Sequence, residues 1–238
     1  MMSKISKDNF VALDDLMSLL DSSESTIRRD LDELEAENKL HRVHGGAELL
    51  PSLQEELSNQ EKSIKNSQVK SVIAKKAAKY ILDNDVIFLD AGTTTEFLIE
   101  EIDQKNVTVV TNSIHHAAKL VEKAIKTIII GGFVKQTTDA SIGNVAVEQI
   151  SMMNFDKAFL GMNGIDKSYL TTPDMEEAVI KRAVIENAKT TYVLADASKI
   201  GHISFIKVAP IDDIRIVTEK MNSLLIEKIK EKAQVIEV

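Results

Sequence analysis

The chain has no cysteine and no tryptophan among its 238 residues, and only three prolines. Without thiols, neither a disulfide framework nor a thiolate metal site is available. Histidine is scarce too: none of the five falls in a metal-ligand spacing such as HExxH, and the adjacent His115 and His116 would point apart on a helix. No metal or cofactor is expected. No apolar run approaches the roughly 18 residues of a membrane span, and the start lacks the hydrophobic stretch of a signal peptide. A cytoplasmic protein with no membrane partner is expected. Internal repeats and low-complexity segments are also missing. What remains is 44 % hydrophobic, enough for a true core in one or two domains.

Positive charge is in deficit. The net charge is −8, and the first 50 residues carry six Lys/Arg against eleven Asp/Glu. The sum argues against a nucleic-acid partner, but placement decides docking. Arg28, Arg29, Lys39 and Arg42 cluster with His41 and His44, while the acids lie on Asp14, Asp15 and the run from Asp30 to Glu37. Apolar residues Leu13, Leu16, Met17 and Leu20, then Ile27, Leu31, Leu34 and Leu40, have the spacing of two packed amphipathic helices. Residues 20–23 make the turn between them, with Ser23 as N-cap. A short strand, 40–43, turned by Gly45-Gly46, adds a wing. The second helix presents Ser25, Thr26, Arg28 and Arg29 in its first turns. Hydroxyls and amides there suit phosphate, and arginine forks suit guanine edges in a major groove. Ser23, Ser25, Thr26, Arg28, Arg29, Arg42 and His44 are the candidate DNA contacts.

Residues 51–67 are polar and read as a linker, separating a first domain at 1–50 from a second at 68–238. In the second, short apolar strands at 86–89, 107–110, 127–130, 158–160, 191–195 and 214–218 alternate with helical segments. That pattern predicts an α/β domain with a largely parallel sheet. Ligands bind such sheets where strand ends meet helix N-termini. The sharpest candidate is Asp90-Ala91-Gly92-Thr93-Thr94-Thr95, in which a glycine, three hydroxyls and a new helix follow a strand. Those features suit phosphate, although threonines also cap helices in ordinary turns. Loops at 111–113, 131–132, 161–166 and 196–199 share the rim and would suit a polyol carrying a phosphate, with Lys199 as a cation against it. Glu176 and Glu177 read as helix-opening acids and Lys181 as a surface i, i+4 partner of Glu177.

The strings STIRRDL, HGGA, DAGTTT, VVTNS, IIGG, GMNGID, LTTPDMEEA and LADASK, in this order, resemble the DeoR family of bacterial sugar-metabolism repressors. The resemblance spans nearly the whole chain. Within the family, NGID, LTTPDMEEAVIKRA and LADASK look most like the fructose-operon repressors of Gram-positive bacteria. It implies a winged helix-turn-helix followed by an effector domain similar in fold to ribose-5-phosphate isomerase. It also implies a homo-oligomer, dimer or tetramer, that releases operator DNA when a phosphorylated sugar such as fructose 1-phosphate binds. Asp90, Gly92, Thr93 and Thr94, with Thr95 in the same turn, would then hold phosphate. Asn112, Gly132, Asp166, Glu177, Lys181, Asp196 and Lys199 would line the sugar pocket.

Three departures from the family pattern carry expectations. Residues 1–9 supply at most a stub of the helix that precedes the helix-turn-helix, which would loosen the head. Ser22 stands where a small apolar residue is preferred. Tyr169-Leu170 lacks the glycine that precedes LTTPD, which would alter the lid over the sugar. A rival class is a sugar-phosphate isomerase, with Asp166 as base and Lys181 polarising a carbonyl. Against it, Lys167 follows Asp166, and the expected basic loop has become the helical segment 176–179. A site that kept its phosphate cradle but lost its acid-base pair fits better, so no catalytic residue is assigned. Other repressor effectors considered are tagatose 6-phosphate, glycerol 3-phosphate and a deoxyribose phosphate.

Overall fold

The computed structural model describes residues 1–8, 10–36, 39–43, 45–49, 52–54, 56 and 58–238. The chain divides into two compact units, Met1–Ser52 and Leu53–Val238.

The first unit runs α1 (Met2–Asp8), β1 (Phe10–Ala12), α2 (Leu13–Leu20), α3 (Glu24–Ala36), β2 (Leu40–Val43) and β3 (Gly46–Leu49). Its antiparallel sheet has the order β1-β3-β2. Leu16 from α2, Ile27 and Leu31 from α3, and Leu40 from β2 close one small core, while Leu20 lies outside it, 38 % exposed. Helix α2 stops at Asp21, whose left-handed backbone (φ 47°) turns the chain toward α3. The Ser23 hydroxyl then accepts the Thr26 N–H, as expected of an N-cap. Gly46 is obligatory: a Cβ there would sit 2.3 Å from the Val11 carbonyl oxygen. The expected stub is a formed helix, and Ile5 on α1 is fully buried in the core beside Met1 and Met2.

The second unit begins with α4 (Asn59–Ile64) and α5 (Ser67–Ala78), followed by β4 (Val86–Leu89), α6 (Thr93–Glu100), β5 (Thr108–Thr111), α7 (Ile114–Glu122) and β6 (Lys126–Ile129). A hairpin β7 (Phe133–Lys135) and β8 (Ala140–Ile142) precedes α8 (Asn144–Ser151), β9 (Lys157–Gly161), β10 (Gly164–Ile165) and β11 (Tyr169–Thr172). The chain ends with α9 (Met175–Asn187), β12 (Thr191–Leu194), β13 (Ile206–Pro210), β14 (Arg215–Thr218), α10 (Leu224–Lys230) and β15 (Gln234–Glu237).

Seven strands form one parallel sheet in the order β15-β14-β12-β9-β4-β5-β6. Alternate residues feed opposite faces: Ile87 and Leu89 pack with α5 and α6, whereas Phe88 packs with α8 and α9. From β4 the chain winds outward through β5 and β6, then returns to β9 on the other side. The loops after β4 and β9 therefore diverge, opening a crevice at this switch point.

Residues from Leu53 onward belong to this second unit, so the stretch read as linker is partly structured. Ser58 and Glu61 cap α4 reciprocally: the Ser58 hydroxyl accepts the Glu61 N–H, and the Glu61 carboxylate accepts the Ser58 N–H at 2.9 Å. The expected lid at Tyr169-Leu170 is strand β11, paired on both sides by β10 and β13. No helix among the described residues is long and apolar enough to cross a membrane.

Removing a fully buried isoleucine costs about 2–5 kcal/mol, and a domain of about 50 residues has little stability to lose. Ile5→Ala is therefore expected to abolish hydrogen-exchange protection across residues 1–52 while leaving residues 59–238 protected. Unchanged protection in the first unit would show that α1 is not part of its core.

Candidate anion cavity and nucleic-acid interface

The crevice holds a cavity of about 230 Å³ at the carboxyl ends of β4, β9 and β12, walled also by α4 and α5. On one side, Gly92 leads into α6, whose first-turn N–H groups have no intrahelical acceptor. Thr93 and Thr94 line the wall, and Thr93 Oγ1 accepts a hydrogen bond from Lys70 Nζ at 2.9 Å. On the other side lie Asp196, Ser198 and Lys199, in a short 3-10 turn that Asp196 caps by accepting the Ser198 N–H at 3.0 Å.

Five lysines line this cavity (Lys62, Lys65, Lys70, Lys181 and Lys199) against two acidic residues, Glu177 and Asp196. Both carboxylates are already engaged. Glu177 accepts from Thr138 Oγ1 at 2.9 Å and from Lys135 at 3.1 Å, and Asp196 serves as the cap. Lys181 is committed to Asp90 in a fully buried ion pair. Burial alone would lower the Lys181 pKa, but Asp90 and Glu177 outweigh it and hold the ammonium above its usual range. Among the described residues, no carboxylate lies within ion-pair distance of Lys65, Lys70 or Lys199. Burial pushes the pKa values of Lys70 and Lys199 down; Asp196 opposes this in both, and neighbouring lysines add to the depression. Lysines without paired carboxylates beside an open helix N-terminus are suited to an anion.

Seven of the sequence-derived residues meet in this cavity: Gly92, Thr93, Thr94, Glu177, Lys181, Asp196 and Lys199. Five others do not line it. Asp90 lies behind the wall, where its carboxylate takes the Lys181 ammonium and the Gly161 N–H at 3.1 Å; as an acceptor it would repel phosphate. Thr95 turns inward and donates to the Asp90 carbonyl at 2.7 Å. Asn112 braces the loop from outside by accepting the Ala91 N–H at 2.9 Å. Gly132, with φ 151°, packs against the Ile142 carbonyl. Asp166 caps its own hairpin by accepting the Tyr169 N–H at 2.6 Å. Lys181 is no surface partner of Glu177, since the i, i+4 spacing said nothing of Asp90, 91 residues away. The cavity residues missed from sequence are chiefly Lys62, Lys65 and Lys70. Ser58 and Glu61 match the capping-box pattern, a signal of the helix carrying Lys62 that the reading of 51–67 as a linker passed over.

In the first unit, α3 begins at Glu24 directly after Ser23, whose hydroxyl meets those of Ser25 (3.0 Å) and Thr26 (2.9 Å) on an exposed turn. Arg28 is half-exposed and pairs with Glu24 one turn back at 2.7 Å. Arg29 is exposed, and among the described residues no carboxylate pairs with it. Arg42 on β2 is instead tied to Asp32 of α3. His44 lies outside the described residues.

A winged helix-turn-helix joined in one chain to a parallel α/β unit with an anion-suited cavity defines a ligand-sensing, DNA-binding class. Residues 1–52 match the DeoR-like helix-turn-helix domain, and residues 65–220 match the DeoR C terminal sensor domain. The chain belongs to the DeoR family of DNA-binding transcriptional repressors and is a regulator rather than an enzyme. It is 44 % identical to the uncharacterized HTH-type transcriptional regulator FruR of Bacillus subtilis, over 98 % of this chain and 93 % of that one. It is 30 % identical to the lactose phosphotransferase system repressor of Staphylococcus aureus, over 98 % and 95 % respectively. Ribose 5-phosphate isomerase A from Methanocaldococcus jannaschii is a distant structural neighbour, with TM-score 0.44 and 21 % identity over 57 % of this chain and 55 % of that one.

One buried group behind the Gly92 turn has a measurable consequence. His116 on α7 is 2 % exposed, and its Nδ1 has no hydrogen-bond partner. Burial lowers its pKa to about 4, with Glu96 pulling the other way. The unfolded chain thus takes up a proton near pH 6.5 that the folded chain refuses until about pH 4. Stability is full above that window and falls as pH drops through it, by about 3 kcal/mol at most. Urea unfolding of His116→Gln between pH 7 and about 4 is expected to show a shallower acid loss than the parent protein. Equal slopes would remove His116 from the acid limb.

Proposed function

We propose that this protein represses a sugar-utilisation operon, the fructose operon being the first candidate. A phosphorylated sugar such as fructose 1-phosphate would enter the cavity and release the protein from operator DNA. The observation that carries this reading is the excess of lysines lining the cavity beside the N-terminus of α6. The similarity to FruR, and more distantly to a lactose phosphotransferase system repressor, supports a sugar operon as the target. In this proposal residues 1–50 read DNA, 51–67 connect and also lend Lys62 and Lys65 to the cavity wall, and 68–238 supply the rest of the sensor. Thr93, Thr94, Lys70 and Lys199 hold phosphate, while Glu177 and Asp196 offer acceptors to sugar hydroxyls. Helix α3 presents Ser23, Ser25, Thr26, Arg28 and Arg29 to the operator. Two or four copies act together in the cytoplasm, because one short helix reads too few base pairs for useful specificity.

The test is a thermal-shift screen of sugar phosphates with matched operator titrations. At about 100 times its Kd, the true effector stabilises by about 2.7 kcal/mol. Fructose 1-phosphate is expected to give the largest shift; a larger one from tagatose 6-phosphate or glycerol 3-phosphate would reassign the sugar. No shift from any of them would end the effector proposal.

Variants should separate the two activities. Combining Thr94→Ala with Lys199→Ala is expected to abolish the shift while operator binding persists, giving a repressor that cannot be induced. Arg28→Ala and Arg29→Ala should each weaken operator binding by about 1–3 kcal/mol and leave the shift intact. Induction surviving the first pair, or operator binding surviving the second, would displace the corresponding site.

A further inference from the structure

The cavity is not built by the sheet rim alone. Helix α4, which follows the boundary between the units at Ser52 by only a few residues, contributes Lys62 to its wall. Leu53, Asn59 and Glu56 are tied to the rest of the second unit at three points. The Leu53 carbonyl accepts the Phe205 N–H at 2.9 Å, and Asn59 bonds through its N–H to the Thr137 carbonyl (3.0 Å) and through its amide to that of Thr138 (2.7 Å). The third point is electrostatic: Glu56 takes Lys135 on one side and Lys62, at 3.3 Å, on the other.

That third point shares its charges with the cavity. Lys62 lines the cavity, and its ammonium pairs with Glu56. Lys135 pairs with Glu56 while also holding cavity-lining Glu177. Lys70 donates both to Thr93, on the anion-suited turn, and to the Lys62 backbone carbonyl. An anion at the α6 N-terminus therefore competes with Glu56 for Lys62, and with the α4 backbone for Lys70. The anion-free and anion-bound states would then hold the segment by different contacts, as a coupling mechanism requires.

We propose that α4 and the residues before it are the transducer: an anion in the cavity takes the Lys62 ammonium from Glu56 and so alters how the segment 53–64 is held. The proposal rests on the effector reading above and makes Lys62 a positioning residue for induction, beyond any part it has in holding the anion. A residue that only binds the effector shifts the concentration needed for release. A transducer sets the amplitude of release at saturation.

The experiment measures operator affinity of the full chain without sugar and at saturating fructose 1-phosphate, for the parent, Lys62→Met, Lys62→Arg and Glu56→Gln, with thermal melts alongside. The parent is expected to lose about 5–150-fold in operator affinity at saturation. Lys62→Met should still be stabilised by the sugar, at a weaker Kd, yet lose only about twofold or less. Lys62→Arg should restore the amplitude. Glu56→Gln, which removes the competitor, should bind operator more weakly than the parent before sugar is added. By reciprocity, operator DNA should change the sugar Kd of the parent but not that of Lys62→Met. Full release from Lys62→Met at higher sugar concentration would overturn the proposal. So would sugar-induced exchange changes across 59–66 that are identical in Lys62→Met and the parent. A parent protein that no sugar phosphate stabilises would instead defeat the effector reading itself.

Discussion

Mutual repulsion among the cavity lysines is the constraint around which the second unit is arranged. Lys65, Lys70 and Lys199 face one space without a paired carboxylate among the described residues. The nearby acids are occupied in fixing the walls, Asp90 by Lys181, Asp196 by the turn it caps and Glu177 by Lys135 and Thr138. Of the three only Lys70 is buried, and buried charge left unmatched opposes folding. Under the proposed function, an anion entering the cavity would relieve that cost, and relief available only in the bound state would couple occupancy to conformation.

The parallel sheet makes the arrangement possible. Its switch point between β4 and β9 separates two loops, and α6 opens into the gap with free N–H groups. Asp90, Thr95, Asn112 and His116 stand behind these loops and shape them without facing the cavity. The first unit has much less to hold it: a core of a few aliphatic side chains in which Ile5 of α1 has a full share.

Much of this was legible in sequence where periodicity was strong. Four-residue apolar strands such as Val86–Leu89 and the helix Met175–Asn187 stood out. The two-residue strand Gly164–Ile165 and the edge strand Ile206–Pro210 did not, because their pairing depends on partners far along the chain. The hydroxyl turn after β4 announced itself through composition. Lys62, Lys65 and Lys70 did not: on a polar stretch a lysine looks solvated, and only the fold carries these three to the rim. Asp90 misled for the opposite reason. It sits inside the most suggestive motif, yet its partner Lys181 is 91 residues away and turns it into scaffold.

The central claim, that an anion settles on lysines without paired carboxylates, is tested most directly by counting protons. Between about pH 9 and 10 a sugar phosphate is already fully dianionic, so the lysines dominate any proton exchange on binding. Calorimetry of fructose 1-phosphate binding in two buffers of different ionisation enthalpy should then show net proton uptake, as the depressed Lys70 and Lys199 return to their charged forms. Binding with heat independent of buffer, or with proton release, would contradict it.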